Sequence, residues 1–419
     1  MPPIRILITN LCLSAQSGTE KYARDVAVEL MAEGHEVALY SPILGDYAEK
    51  MQSEGICVVS DLADVPFQPD IIHGHHHVET VSAILRFPEV PAIYVCHDRS
   101  SWHDKAPLMA RIKRYVAVDE ACRKRLVADG VGEDRIEMIH NSVDVRKFPV
   151  RRSLPEKPAR ALLLSHYASE ETYLPVVRET CEHFGIRLDV GGNAAGNRIN
   201  PEEVLREYDI VFGKARCALE AMATGCAVVL TDPAQAGPMV TTENWNRLRP
   251  LNFGFEACPD PLSVEALVAE VEKYDPVDAA RVSQCTREEA SLPAMVNDLS
   301  RVYHDVIRMA EADPVPSSEE EMLEVSKYLT NQFRYSWLSR ASRLEEEVAQ
   351  WKASSEAAHE GWAKLGSELD EEVNKWKESA EAAHKGWAEL GREYEQMERE
   401  LNKARKILED LGNGSGVAK

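Results

Sequence analysis

The stretch Asp209–Asp232, DIVFGKARCALEAMATGCAVVLTD, decides the fold. Ile210-Val211-Phe212 is a short apolar run ending at Gly213, after which the chain passes two cations, Lys214 and Arg216. A helical run, Cys217–Ala223, carries Glu220; Thr224-Gly225 closes it, and Ala227–Leu230 begins another β-prone run. Strand, turn, helix, glycine stop and strand follow one another, and in a doubly wound sheet such a turn lies at the carboxyl end of its strand, where ligands bind. The helix N-terminus there offers free N–H groups and the positive end of a dipole to an anion. Two cations before that helix and one acid inside it suit a nucleotide diphosphate: cations for the phosphates, a carboxylate for ribose hydroxyls. An ordinary crossover with surface charges fits the same spacing.

Upstream of this stretch the same alternation recurs: strand Ala161–Leu164, helix Tyr173–His183, strand Ile186–Val190 and helix Pro201–Tyr208. Downstream come helices Ser263–Lys273 and Val277–Ala290, then a longer one, Pro293–Ala310. Before Pro149 lies a first set. Ile4–Thr9 reads as a buried parallel strand, and Ser17-Gly18-Thr19-Glu20 leads into helix Lys21–Glu33. Strands Glu36–Tyr40, Asp70–His73, Ala92–Val95, Tyr115–Val118 and Ile136–Ile139 alternate with helices near Tyr47–Glu54, Val78–Leu85 and Glu120–Asp129. Strands alternating with helices mean mostly parallel α/β sheets. Two such halves, 1–150 and 151–312, imply a ligand cleft between them.

The chain has 419 residues and a formal net charge of −22. That length asks for two domains and an appendage, and that charge speaks against a nucleic-acid partner, which needs a basic surface. Two basic clusters, Arg111-Lys113-Arg114 and Arg123-Lys124-Arg125, read as solvated helix faces in preference to a patch for anionic lipid or a phosphorylated acceptor. Nine scattered cysteines without zinc or redox spacing fit reduced thiols in cytosol. The N-terminus lacks a signal peptide's longer apolar region, and no window reaches the length of a membrane span. A cytoplasmic protein is expected, with peripheral contact at the inner face of a membrane left open.

Two loops of the first half attract chemistry. His73-Gly74-His75-His76-His77 follows one strand, and Cys96-His97-Asp98 ends the next. Adjacent histidines cannot all converge on one ion, and no tetrahedral set with a carboxylate follows from the spacing, so no metal is expected. His97-Asp98 at a strand's carboxyl end is placed to hydrogen-bond a sugar or phosphate. Trp102 and His103 offer a stacking face and a donor to an acceptor. Gly191-Gly192-Asn193 reads as a plain turn.

Asp313–Ser318 breaks the last helix, and 313–419 forms an acidic, helix-prone tail. From Leu344 the apolar and small residues step alternately by four and three through Trp351, Trp362, Leu369, Trp376, Trp387 and Met397 to Leu411. QWKASSEAAHEGWAKLG returns as KWKESAEAAHKGWAELG, with a repeat of three heptads plus four, a stutter that locally unwinds a supercoil. The reading is a coiled coil joining copies of the chain, in preference to one amphipathic helix lying on its own body. His359 and His384 recur beside the seam.

Several pieces of the first three hundred residues together resemble GT-B nucleotide-sugar glycosyltransferases of the group-1, family 4 type. They are Gly18-Thr19-Glu20, Asp70-Ile-Ile-His-Gly-His75, Tyr94-Val-Cys-His97-Asp98, Val116-Ala-Val-Asp119-Glu120, Ile139-His-Asn141-Ser-Val-Asp144 and Ala218-Leu-Glu220-Ala-Met-Ala-Thr-Gly. The resemblance implies an α/β fold of two Rossmann-like domains facing a cleft, with Pro293–Ala310 returning to brace the first. It implies transfer of a sugar from a nucleotide-diphosphate donor (a UDP- or GDP-sugar) to a hydroxyl of a glycan or lipid-linked acceptor. Configuration is typically retained and neither metal nor cofactor is needed. Gly18 would lie beneath the diphosphate, His97 beside the transferred sugar and Glu220 at the ribose. The expected site is therefore His97 and Asp98 as catalytic residues. Gly18, Thr19, Ser165, His166, Lys214, Arg216 and Glu220 stand on the donor side, and Glu20, His75, Trp102 and His103 on the acceptor side.

Two departures stand out. The family pairs two glutamates separated by seven residues; here Phe212 takes the first position. Ser165-His166 stands where the family carries Arg and Lys, so Lys214 and Arg216 are expected to supply that charge. Assembly of a surface glycan is the expected role. A nucleotide-sugar epimerase and a catalytically weakened scaffold acting through the coiled coil are the alternatives.

Overall fold

The computed structural model describes residues 2–14, 16, 18–151, 153–192, 196, 199–313, 316 and 318–333, and parts of the tail between 341 and 403. The chain divides into two compact units, Met1–Arg334 and Tyr335–Lys419. The first unit contains two sheets. One has strands β1 (Arg5–Thr9), β2 (Glu36–Tyr40), β3 (Cys57–Val59), β4 (Ile71–His75), β5 (Ala92–Cys96), β6 (Ile112–Ala117) and β7 (Ile136–Met138), in the order β3-β2-β1-β4-β5-β6-β7. Every pairing in it is parallel. The order reverses at β1/β4, the topological switch point at which open α/β sheets bind ligands. Helices α1 (Gly18–Ala32), α2 (Asp46–Ser53), α3 (His77–Arg86) and α4 (Glu120–Ala128) connect the strands.

The second sheet has β8 (Arg160–Leu164), β9 (Arg187–Gly191), β10 (Ile210–Gly213), β11 (Ala227–Thr231), β12 (Gln235–Met239) and β13 (Asp260–Pro261), ordered β9-β8-β10-β11-β12-β13. Its first four strands are parallel and the last two add antiparallel. Helices α5 (Leu174–His183), α6 (Ala215–Thr224), α7 (Val264–Val271) and α8 (Pro276–Glu289) accompany it. The decisive stretch is thus β10, α6 and β11, as read from sequence. Gly225 caps α6 in the left-handed region at φ 96°, which only glycine adopts freely. The helix expected over Pro201–Tyr208 is shorter, Pro201–Val204 followed by a 3₁₀ turn, Leu205–Glu207.

Helix α9 (Leu292–Ala312) crosses back to the first lobe. Val296, Leu299, Val302, Tyr303 and Val306 on one face are buried in that lobe's core, worth on the order of 10 kcal/mol by area removed from water. The outgoing and returning chains meet: Val143 N–H donates to Ala290 O (2.9 Å), and Leu292 N–H donates to Val143 O (3.0 Å). Two adjacent crossings form one hinge.

The structure corrects two expectations. Arg111, Lys113 and Arg114 are not a helix face but lie at or within β6. Arg111 is buried because its guanidinium satisfies the last carbonyls of α3, donating to Ile84 O and Phe87 O (2.6 Å to the latter), and pairs with Glu321 (2.5 Å). Nor does the chain leave the body at residue 313. Helix α10 (Ser318–Lys327) docks on the first lobe, Glu324 accepting from Ala110 N–H (3.0 Å), and a π-helical turn, Tyr328–Phe333, follows. Glutamates of the stretch that reads as an acidic tail are held by Arg111 and a backbone N–H.

In the second unit the described stretches 341–347, 369–381 and 395–400 are helical. The expected seam residues Leu344, Leu369, Trp376 and Met397 are exposed in a single chain. Trp351, Trp362, Trp387 and Leu411 of the seam, with His359 and His384, lie outside the described residues. Among the described residues no helix is long and apolar enough to cross a membrane.

Two glycines should respond differently to alanine. At Gly225 a Cβ would meet nothing closer than 3.5 Å, so Gly225→Ala should cost only the left-handed backbone term, about 1 kcal/mol. At Gly192 a Cβ would fall 1.8 Å from Ser165 O, so Gly192→Ala should cost several-fold more in urea unfolding. Equal losses would contradict this packing.

Candidate active site

Parallel strands end on one rim, and here the rims of both sheets border a cleft of about 170 Å³. From the first lobe it is lined by His97 and Arg99 beyond β5 and by Asp119 before α4. From the second come Lys214 and Ala215 at the start of α6, and Phe255. Arg99 stacks over the Phe255 ring, 3.8 Å from its centroid, and Lys124 pairs with Glu256 at 3.3 Å, so both contacts cross between lobes.

His97 sits on an assembly of imidazoles. Its Nε2 and His75 Nδ1 are 2.8 Å apart, and the two rings lie 4.8 Å apart. His73 Nδ1 meets Tyr303 Oη of α9 at 2.5 Å, and His77 Nδ1 meets Tyr328 Oη at 2.7 Å. Tyr22 packs edge-on against His97 at 4.7 Å. Gly74 is required between the histidines because a Cβ there would lie 2.4 Å from the Thr80 side chain of α3. His76 holds φ 60°, and Leu11 N–H donates to its Nδ1 (2.9 Å), leaving any ring proton on Nε2. Burial, with neighbouring histidines, pushes His73 and His97 down to about 3 and His77 to about 4, and takes His75 and His76 well below the ordinary value. At neutral pH the cluster is uncharged, so His97 meets the cleft as a neutral hydrogen-bonding ring.

The other expected residues divide. Asp98 shapes its own turn: Oδ1 accepts from Ser100 N–H and Ser101 N–H, each at 2.6 Å. Burial raises its carboxyl, but those bonds outweigh it and hold the group below the usual range. His75 is fully buried and reaches His97 instead of lining the cleft, and Glu20 is buried in the first turn of α1. Trp102 and His103 are half-buried around His76 and His77, with His76 and His103 4.7 Å apart and His77 and Trp102 5.6 Å apart. Gly18 is exposed with open space where a Cβ would stand, and Thr19 beside it is half-buried, its carbonyl accepting from Asn10 (3.4 Å). Ser165 Oγ accepts from Tyr167 N–H (3.2 Å), and the backbone of Ser165 and His166 packs against Gly192.

Lys214 pairs with Asp232. Arg216 spans the lobes, bonding Asp25 of α1 and, through Nε, Glu220 at 2.9 Å. Asp25 also takes Lys147 at 3.1 Å and Arg24 at 2.9 Å. Burial works to raise the Asp25 carboxyl, but Arg216 and Lys147 hold it down to about 2. Sequence reasoning missed Asp25, Tyr22, Tyr303, Tyr328 and Arg99. Acids at Asp25 and Glu29, four apart among the apolar positions of α1, were the available signal. Among the described residues no group of three His, Cys, Asp or Glu is disposed to hold a metal.

Two facing Rossmann-like lobes, a hinge of two crossings and a returning helix define the architecture. The fold is GT-B. Residues 16–147 match the family model described as Glycosyltransferase Family 4. A glycosyltransferase from Rickettsia africae superposes with TM-score 0.53 at 15% identity, covering 73% of this chain and 99% of that one. Anabaena HepE, solved in complex with UDP and glucose, gives TM-score 0.53 at 13% identity over 72% of this chain and 100% of its own. The same protein with UDP-glucose gives 0.51. No curated protein matches the sequence. In this GT-B frame Phe212, the departure noted in the sequence, is wholly buried in β10 and packs in the core of the second lobe.

Protonation should unfold the first lobe. A histidine lowered by folding contributes fully above its unfolded value of about 6.5; that contribution is lost as pH falls towards about 4 for His77 and about 3 for His73 and His97. Asp104 and Glu79, raised to about 7 by burial, act oppositely and favour the fold more as pH drops from 7 to 4. With five imidazoles against two carboxyls, the urea midpoint should fall between pH 7 and 5. A flat or rising midpoint would show that the cluster is not held neutral.

Proposed function

We propose that the protein is a glycosyltransferase that moves a sugar from a nucleotide-diphosphate donor to an acceptor hydroxyl. One observation carries this: His97 on the rim of the first sheet and the N-terminus of α6 on the rim of the second line the same cleft. In the reaction the anomeric carbon–phosphate oxygen bond breaks and the nucleoside diphosphate leaves. A bond forms from the acceptor oxygen to that carbon, and the acceptor proton passes to the released phosphate. Neutral His97 orients the transferred sugar through a hydrogen bond, and Trp102 and His103 border the acceptor. Cleft cations and the α6 N-terminus stabilise the leaving group without a metal, and configuration is retained. Uracil is the favoured base, since HepE was solved in complex with UDP and glucose.

A cleft of about 170 Å³ is smaller than the 300–1,000 Å³ typical of ligand sites, so the donor enters with the lobes apart. For Glu220 to reach the ribose, Arg216 must release it. The coiled coil joins copies of the chain, and the enzyme works in surface-glycan assembly, in the cytoplasm or at the inner face of a membrane. The scaffold reading has one observation in its favour, the occupation of Arg216 and Glu220 by each other and by Asp25.

A screen of nucleotide sugars by thermal shift and by release of nucleoside diphosphate separates these readings. Binding with slow hydrolysis is expected, and His97→Ala should cut turnover about 100-fold or more with the fold intact. Absence of binding to every nucleotide would favour the scaffold.

A further inference from the structure

A departing diphosphate needs positive charge, and the second lobe's candidates for it are spent. Ser165 and His166 stand where cations were expected. Arg216 is shared by Asp25 and Glu220. Lys214 lines the cleft but pairs with Asp232. The other cation lining the cleft is Arg99, two residues beyond His97.

Arg99 is exposed, and among the described residues it makes no ion pair. The carboxylates around it are engaged elsewhere: Asp98 by Ser100 N–H and Ser101 N–H, Glu256 by Lys124, and Asp119 by the Cys122 N–H that it caps at 2.8 Å. Its guanidinium carbon lies over the Phe255 ring, 3.8 Å from the centroid. A guanidinium held over a ring face spends none of its N–H hydrogen bonds on an oxygen acceptor, which leaves them for the two-pronged contacts that phosphate oxygens accept. The stack also joins the lobes, since Arg99 belongs to the first and Phe255 to the second.

We propose that Arg99 is the phosphate-binding cation of this cleft, delivered by the His97 loop and held in place by Phe255 of the opposite lobe. The proposal rests on the nucleotide-sugar reading above. Charge for the leaving diphosphate then comes from the lobe that also carries His97. It reaches its position only when the lobes are together, so closure and leaving-group stabilisation are one event.

The test is calorimetric binding of UDP, GDP, UMP, GMP and inorganic pyrophosphate to the full-length protein and to Arg99→Gln, Arg99→Lys and Phe255→Leu. Loss of a charge-assisted pair should weaken diphosphate binding by roughly 10–100-fold in Arg99→Gln. Monophosphates should change less than about threefold, and the salt dependence of diphosphate binding should flatten. Arg99→Lys and Phe255→Leu should lie between, the first keeping charge without the fork, the second keeping the fork without its support. Diphosphate binding unchanged in Arg99→Gln, or an equal loss for mono- and diphosphates, overturns the role of Arg99 and leaves the transferase reading standing. Absence of nucleotide and pyrophosphate binding by the unaltered protein overturns both.

Discussion

The buried carboxylate of Asp25 is the point on which the two lobes meet. It lies on α1 of the first lobe and gathers Arg216 from α6 of the second, Lys147 from the crossing segment and its neighbour Arg24. Breaking a buried pair by removing one partner costs far more than the pair contributes, because the survivor is left charged and dry. That asymmetry makes the arrangement discrete: Arg216 is either on Asp25 or on something that replaces it. The narrow cleft and the engagement of Glu220 follow from this contact. Arg146 extends the same chain of charges to Asp144 (2.7 Å) and Glu29, so the segment linking the lobes is tied to α1 as well.

The histidine assembly obeys a different constraint. Imidazoles this close together cannot share positive charge in a buried site, so burial and mutual repulsion keep them neutral. Neutral rings still need partners, and two tyrosines from the distant end of the unit provide them, Tyr303 for His73 and Tyr328 for His77. Among the described residues, four polar atoms of the assembly remain buried without a partner close by: Tyr22 Oη and the Nε2 atoms of His73, His75 and His77. A cluster this incompletely satisfied lowers stability, and it lies directly beneath His97, where a positioned ring has a use. The segment beyond residue 313 therefore belongs to the floor of the site as well as leading to the tail.

How far the sequence could be read depended on whether a feature was local. Period and punctuation placed β10, α6 and β11, because a buried parallel strand, an amphipathic helix and a left-handed glycine each leave a signature within a few residues. His97 at a strand's end followed from the same pattern, whereas the GT-B frame and the returning helix came from the family resemblance that the motif pieces carry together. The basic run Arg111–Arg114 misled because charge on a strand bordering a helix C-terminus looks locally like charge on a solvated surface; only the carbonyls of α3 distinguish them. Phe212 could be seen to replace a glutamate, but not that it turns into the core of the second lobe.

What the sequence alone determined, then, was the alternation of strands and helices, the places where strands end, and the chemical types gathered there. Those are set by backbone propensity and apolar period, which act over a handful of residues. Only the tertiary structure decided which charges are free. Lys214 and Arg216 look like phosphate ligands until Asp232 and Asp25 are found beside them, and Arg99 looks like a surface residue until Phe255 is found beneath it. A side chain's charge is written in the sequence, but its availability depends on partners far along the chain, and no local pattern encodes a distance of that kind.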